Sequence, residues 1–126
     1  MRIPYVVLAL ALVATGCAAD TTSPARAAER FHAAVAAHQD EAACGLLARK
    51  TADKLPDPGQ TCGQALADLK LGKGGTVTEV NVWGDEAQVR LAGDTLFLHR
   101  FDDGWRVKAA GCQPVHDQPY ECEVED

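Results

Sequence analysis

The chain has 126 residues, 47% of them hydrophobic, and a formal net charge of −6 at pH 7. Its length is that of a single domain. The acidic balance excludes binding to nucleic acid or to anionic lipid headgroups through an overall basic surface, because both would repel such a chain.

A secretory signal is predicted at the N-terminus, which reads MRIPYVVLALALVATGC. Arg2 supplies a positive start, and the apolar run after it is too short to span a bilayer. The small residues of ATGC, at positions 14–17, make the segment similar to a bacterial lipoprotein signal. The resemblance implies cleavage before Cys17 and lipid anchoring of that residue at the extracellular side of the cytoplasmic membrane. The alternative is an ordinary signal peptide that is cleaved nearby, after Ala18 or Ala19.

Five cysteines are present, at positions 17, 44, 62, 112 and 122. Lipidation of Cys17 would leave four for pairing, and four cysteines allow three connectivities. Proximity along the chain and the predicted elements favour Cys44–Cys62 and Cys112–Cys122. Disulfides are the expected state outside the cytoplasm, and neither spacing is the Cys-x-x-Cys of a redox or zinc motif.

Two helices are predicted before the proline-containing turn at residues 56–59. The first, at residues 25–39, follows Ser23-Pro24, which reads as a cap and a first-turn proline. Its apolar stripe is formed by Ala28, Phe31, Val35 and Ala36. His32 and His38 are expected on its surface, at a spacing that does not suit a metal pair. The second helix is predicted at residues 41–55, with Asp40 as its cap.

A third, shorter helix is predicted to open at Thr61 and to end at Gly72. Thr61 and Gln64 have the Thr-x-x-Gln pattern of a capping box. Cys62 lies on its apolar face, and Cys44 lies on the inward face of the preceding helix. This placement suits a helix-to-helix disulfide.

From Gly74 onward the hydrophobic period changes from helical to alternating. Strands are predicted at residues 76–83, 86–92, 95–101 and 105–110, separated by tight-turn signals. The third strand is apolar on both faces and is therefore expected in the centre of the sheet. Cys112 and Cys122 are expected to staple a loop, with His116 at its tip, so that residues 120–124 pair along the sheet edge.

The order of the elements defines the fold class as α+β. We predict N-terminal helices packed on a curved antiparallel sheet of four to five strands, stapled by two disulfides. The predicted boundaries are a signal peptide at residues 1–16, a lipid-anchored tether at residues 17–23 and a single domain at residues 24–126.

Residues 24–124 resemble the nuclear-transport-factor-2-like (cystatin-like) superfamily in three motifs. They are the hairpin FDDGWRV at residues 101–107, the Cys44-x-Leu46-Leu47 helix and the ending from Trp105 through Gly111-Cys112 to Pro119-Tyr120-x-Cys122. The chain resembles most the small secreted lipoproteins of this type from high-GC Gram-positive bacteria. The resemblance implies a cone-shaped space between the helices and the sheet, which enzymes of the superfamily use for acid–base chemistry.

Chemistry-bearing residues are few. His99 is expected either as a half-exposed sheet residue or, with Phe97 and Trp83, as part of a pocket in which it acts as a base. Cys112, His116 and Cys122 could ligate a metal with His99 or Asp117, but a disulfide would consume both sulfurs. Ser23, the only serine, is placed at a helix cap, and no cofactor-binding motif is present.

Two functional hypotheses follow, beside a third possibility of a structural spacer with no ligand. The first is a non-catalytic binding or accessory domain, held at the membrane through lipid on Cys17, that binds an envelope protein or a small ligand and no nucleic acid. The second is a small enzyme of isomerase or dehydratase type with His99 as its base. No cofactor and no metal is expected in either case.

Overall fold

The computed structural model describes Arg2, residues 19–116 and residues 118–126, except for the side chain of Gln118. The predicted lipidation site Cys17 and all of the predicted signal peptide except Arg2 lie outside the described residues.

Four helices precede five strands, and the fold class is α+β as predicted. The helices are α1 (Thr22–Ala36), α2 (Asp40–Cys44), α3 (Arg49–Lys54) and α4 (Cys62–Asp68). The strands are β1 (Val77–Trp83), β2 (Glu86–Leu91), β3 (Thr95–Phe101), β4 (Gly104–Val115) and β5 (Gln118–Val124). Each strand pairs antiparallel with the next in sequence, so the sheet order is β1-β2-β3-β4-β5 and β3 is central.

Helix α1 begins inside the segment that was predicted as tether. The carboxylate of Asp20 accepts hydrogen bonds from the backbone N–H of Thr22, at 2.9 Å, and from that of Ser23, at 3.3 Å. The Ser23 hydroxyl donates to the same carboxylate at 2.5 Å. Asp20 therefore satisfies the first amides of the helix, and the prediction that Ser23 is the cap was wrong.

The single helix predicted at residues 41–55 is also wrong, because a turn at residues 45–46 and a β-bridge between Leu47 and Val107 interrupt it. There the backbone N–H of Ala48 donates to the carbonyl of Val107 at 2.7 Å, and that of Val107 donates to the carbonyl of Leu46 at 3.0 Å. Strand β5 pairs with β4 only from Ala110 onward. The segment thus supplies hydrogen bonds to the part of the β4 edge that β5 does not cover, where a buried backbone group without a partner would be costly.

Helix α4 opens with the predicted capping box. The backbone N–H of Gln64 donates to the Thr61 hydroxyl at 3.1 Å, and the Gln64 side chain accepts from the backbone N–H of Thr61 at 2.9 Å. The helix ends at Asp68, before the predicted stop at Gly72. The Cys44–Cys62 disulfide joins α2 to α4, as predicted, with a Cα–Cα distance of 6.2 Å.

Strand β4 extends five residues past the predicted end at Ala110, to Val115. The stretch that was predicted as a stapled loop is therefore a β-hairpin, and His116 lies in its turn. Cys112 and Cys122 are directly opposite each other in the β4–β5 register and form the second predicted disulfide.

The core lies between α1 and one face of the sheet. Phe31 of α1 and the strand residues Val89, Leu98 and Val107 are completely buried there. Successive side chains of a strand alternate between faces, so the neighbours of these residues point to the opposite, outer face. The outer face carries the polar side chains described next.

Candidate functional site

Three charged or titratable side chains from adjacent strands meet on the outer face of the sheet. Glu86 of β2 is directly opposite His99 of β3 in the register. Lys108 of β4 occupies a bulge, where Val107 and Ala109 pair with consecutive residues of β3. We call Glu86, His99 and Lys108 the outer-face cluster.

The cluster is internally hydrogen-bonded. His99 Nδ1 donates to Glu86 Oε1 at 2.5 Å, and Lys108 Nζ donates to Glu86 Oε2 at 3.1 Å. Partial burial raises the pKa of Glu86, but the hydrogen bonds from His99 and Lys108 outweigh it, so the pKa of this carboxyl lies below its usual value. Glu86 is therefore an ionised acceptor at neutral pH, which fixes the proton of His99 on Nδ1.

An open groove of about 520 Å³ runs beside the cluster. Its walls include the outer-face cluster, the ring of Phe101, and Arg49, Lys50 and Asp53 of α3. The Phe101 side chain is 42% exposed, and its ring centroid lies 4.6 Å from that of His99. The groove thus combines one exposed aromatic ring with a hydrogen-bonded polar floor and a charged rim.

The chemistry open to the cluster follows from the tautomer of His99. With Nδ1 bonded to Glu86, Nε2 carries the lone pair, and it makes no hydrogen bond with any described residue. Such a nitrogen can accept a hydrogen bond or a proton from a molecule in the groove. A carboxylate on the opposite nitrogen fixes the orientation of the imidazole ring.

His99, Phe97 and Trp83, which were predicted to share a pocket, lie on the same face of the sheet, but they do not all line this groove. His99 lines the groove. Phe97 is half-buried, and its ring lies edge-on to Tyr120 at 5.2 Å. Trp83 ends the edge strand β1 with 53% of its side chain exposed. Neither Phe97 nor Trp83 is among the groove residues.

Sequence reasoning did not identify Glu86, Lys108 and Phe101 as companions of His99. The alternation of β2 and β3 places Glu86 and His99 on the outer faces of their strands. The contact itself depends on the β2–β3 register and on the bulge at Lys108, and the sequence signals neither.

A second titratable pair is buried, which corrects the expectation that His32 lies on the surface. His32 is 7% exposed, and its Nε2 donates to Asp94 Oδ2 at 2.6 Å. Asp94 also accepts from the backbone N–H groups of Thr95, Gly111 and Cys112, at 2.7, 3.1 and 3.1 Å. This carboxylate ties α1 to β3 and β4 inside the domain and faces none of the groove residues.

A metal site with Cys112 and Cys122 among its ligands was one alternative. The two sulfurs are bonded to each other and so are not available as metal ligands. His116 is exposed in the β4–β5 turn, and Asp117 lies outside the described residues. Within residues 19–116 and 118–126, no group of three or more His, Cys, Asp and Glu side chains is arranged to hold a metal ion. Ser23 is engaged with Asp20.

Comparison with known proteins gave no match to a family model, to a curated protein or to a solved structure. In the part of the chain that the structure describes, no helix is both long and apolar enough to cross a membrane.

Proposed function

We propose that the protein is an exported, lipid-anchored domain that binds a small ligand or an envelope protein at the extracellular side of the cytoplasmic membrane. The observation that carries the proposal is the pairing of the cysteines. All four described cysteines are joined in two disulfides, which leaves Cys17 as the odd one, at the position that the lipobox requires. Stable disulfides are typical of exported proteins.

We further propose that the fold belongs to the nuclear-transport-factor-2-like (cystatin-like) superfamily. The helix-first order, α1 packed across one sheet face and the antiparallel meander support this placement. The space between α1 and the sheet is filled by completely buried side chains, among them Phe31 and Leu98. The binding role is therefore assigned to the groove on the outer face.

Replacement of Cys17 by Ala tests the anchor. The wild-type protein should incorporate labelled palmitate and sediment with membranes, whereas Cys17→Ala should do neither, because acyl chains supply the attachment. Ala19→Ser, just beyond the lipobox, is the matched control and should behave as wild type. A wild-type protein that takes up no label, or a Cys17→Ala variant that stays on membranes, would contradict the proposal.

The groove is tested by crosslinking in intact cells. A photo-crosslinking amino acid in place of Lys50, at the groove rim, should give a defined adduct on irradiation. The same amino acid in place of Lys73, an exposed residue between α4 and β1, is the control and should give none. Adducts from neither position, or the same adducts from both, would remove the groove as the binding site.

A second candidate function is favoured by the hydrogen bond between Glu86 and His99, which leaves Nε2 available as a base. A small enzyme of isomerase or dehydratase type removes a proton next to a carbonyl group. Incubation with a panel of carbonyl compounds in D₂O should then show deuterium uptake that His99→Gln abolishes. Uptake that is the same with the variant, or no uptake at all, would exclude His99 as a catalytic base for these compounds.

A further inference from the structure

The start of α1 and the turns of two β-hairpins lie at the same end of the sheet. Strand β1 runs into the turn at residues 84–85, and β3 runs into the turn at residues 102–103. Because successive strands are antiparallel, both turns lie at the same end. The N-terminal part of α1 lines a cleft with the second of these turns, so it lies at this end too. We call it the hairpin end.

Exposed aromatic residues are concentrated at the hairpin end. Trp83 and Phe101 are the large hydrophobic side chains that are exposed among the described residues, at 53% and 42%. They are the last residues of β1 and β3. Tryptophan favours the boundary between lipid and water, where its ring is buried and its N–H remains hydrated.

Arginines line a cleft of about 410 Å³ at the same end. Arg26 and Arg30 are one turn apart on α1, are both exposed, and form no hydrogen bond or ion pair with a described residue. Arg100 completes the set and is bonded through Nη2 to Asp85 at 2.7 Å.

Two acidic side chains also line this cleft, but both are already engaged. Asp20 binds the first amides of α1, and Asp103 accepts from Arg106 Nη2 at 2.6 Å. Glu29 and Asp102, close by in the chain, are not among the residues of the cleft. Arg26 and Arg30 therefore keep their N–H groups available to bind an anion, in a cleft where Asp20 retains its negative charge because its donors are neutral groups.

The proposed anchor is attached at this end as well. Asp20, which lines the cleft, comes three residues after Cys17, and an extended residue spans at most about 3.5 Å, so the chain between the acylation site and Asp20 reaches no more than about 10 Å. If Cys17 is acylated, as the proposed function requires, the hairpin end is held close to the membrane surface.

We propose that the hairpin end is a docking surface for the anionic phospholipid headgroups of the leaflet in which Cys17 is anchored. Trp83 enters the interfacial region, and Arg26 and Arg30 bind lipid phosphates. This inference rests on the proposed lipid anchor. A chain with a net negative charge can dock in this way on an anionic membrane, because the acyl chains supply the attachment and the arginines of the cleft orient the domain.

The test measures the depth of each tryptophan in vesicles that contain the acylated protein and brominated lipids. Trp105→Phe leaves Trp83 as the only tryptophan, and its fluorescence should be strongly quenched in vesicles containing phosphatidylglycerol. Trp83→Phe leaves Trp105, which lines the arginine cleft but is half-buried and packs against the core, so it should be quenched less than Trp83. Equal quenching of the two variants, or none of Trp83, would overturn the proposal.

The arginines are tested in the Trp105→Phe background. Arg26→Gln/Arg30→Gln should lower the ratio of docked to undocked molecules roughly thirty-fold, since each basic residue near an anionic surface contributes about fivefold. Lys70→Gln/Lys73→Gln, between α4 and β1, is the matched control and should leave quenching unchanged. Quenching that is insensitive to the arginine changes, or that is equal in phosphatidylcholine vesicles, would refute binding of anionic headgroups.

Failure of this docking surface is distinguishable from failure of the anchor. Labelled palmitate on Cys17 reports acylation whatever the orientation of the domain. A protein that takes up the label but shows no Trp83 quenching keeps its proposed anchor and loses the docking surface. Circular dichroism of each variant confirms that the fold is intact.

Discussion

Asp94 is the residue at which donors from three elements converge. It accepts from His32 of α1, Thr95 of β3, and Gly111 and Cys112 of β4. The carboxylate is buried, so all four donors depend on it for satisfaction of their hydrogen-bonding capacity.

Replacement of Asp94 by Ala should therefore be strongly destabilising. We expect the free energy of unfolding to fall by about 3–5 kcal/mol, because four donors lose a shared buried acceptor and an unsatisfied buried group costs about 1–3 kcal/mol. Denaturant titration measures the change. Asp102→Ala, at an exposed turn, is the control and should stay within about 0.5 kcal/mol of wild type. A loss for Asp94→Ala within that same range would show that the four donors find other partners.

Glu86 should make stability depend on pH in the acid range. Its pKa in the folded state lies below the usual 4.5 because the hydrogen bonds from His99 and Lys108 outweigh the effect of burial. Between the two pKa values the unfolded chain binds more protons than the folded one, so stability rises with pH there. The contribution is fully present above 4.5 and is lost as pH falls through the lower, folded-state value.

Glu86→Gln removes this contribution. We expect the variant to lose less stability than wild type between pH 5 and pH 3, measured by thermal unfolding at each pH. At neutral pH its cost should be below about 1 kcal/mol, because the side chains of the cluster are each a third exposed. Parallel acid profiles for the two proteins would show that Glu86 is not a source of the pH dependence.

At the scale of elements, the Cys112–Cys122 disulfide should hold the terminal strand β5 in place. Val124 of β5 is completely buried and packs in the main core. The bond closes a loop of 10 residues, which corresponds to about 3 kcal/mol in the chain-entropy model. Cys112→Ala/Cys122→Ala should lower the free energy of unfolding by that amount and increase hydrogen exchange in β5. Unchanged exchange in β5 would mean that the β4–β5 ladder suffices without the bond.

Local sequence patterns predicted where helices and strands form better than they predicted where a helix is interrupted. The capping box at Thr61 involves residues three apart, and the strands have one apolar face, so both could be read directly. The break after Cys44 could not, because residues 46–48 leave the helix to pair with Val107 far along the chain. The burial of His32 likewise depends on Asp94, which lies 62 residues away. The outer-face cluster was missed for the same reason, since strand register decides which outward side chains meet.

At the scale of the whole molecule, a smaller helical part formed by α2 and α4 joins the core between α1 and the sheet through Ala43, Cys44 and Leu66. The main core joins α1 to the sheet through completely buried residues such as Phe31 and Leu96. Helix α4 has seven residues, too few for a stable isolated helix, and is bonded to α2 by the Cys44–Cys62 disulfide. The helical part should therefore open at a lower free energy than the sheet.

Removal of the Cys44–Cys62 disulfide should expose this difference. In Cys44→Ala/Cys62→Ala we expect amide exchange in α4 to become fast while β2 and β3 keep their protection, because α4 packs mainly on α2, whereas α1 packs on β2 and β3. Hydrogen exchange with mass spectrometry resolves the two regions, and Cys112→Ala/Cys122→Ala is the comparison, with its change confined to β5. A uniform loss of protection would instead indicate that the domain unfolds as one cooperative unit, with the helical part inseparable from the sheet.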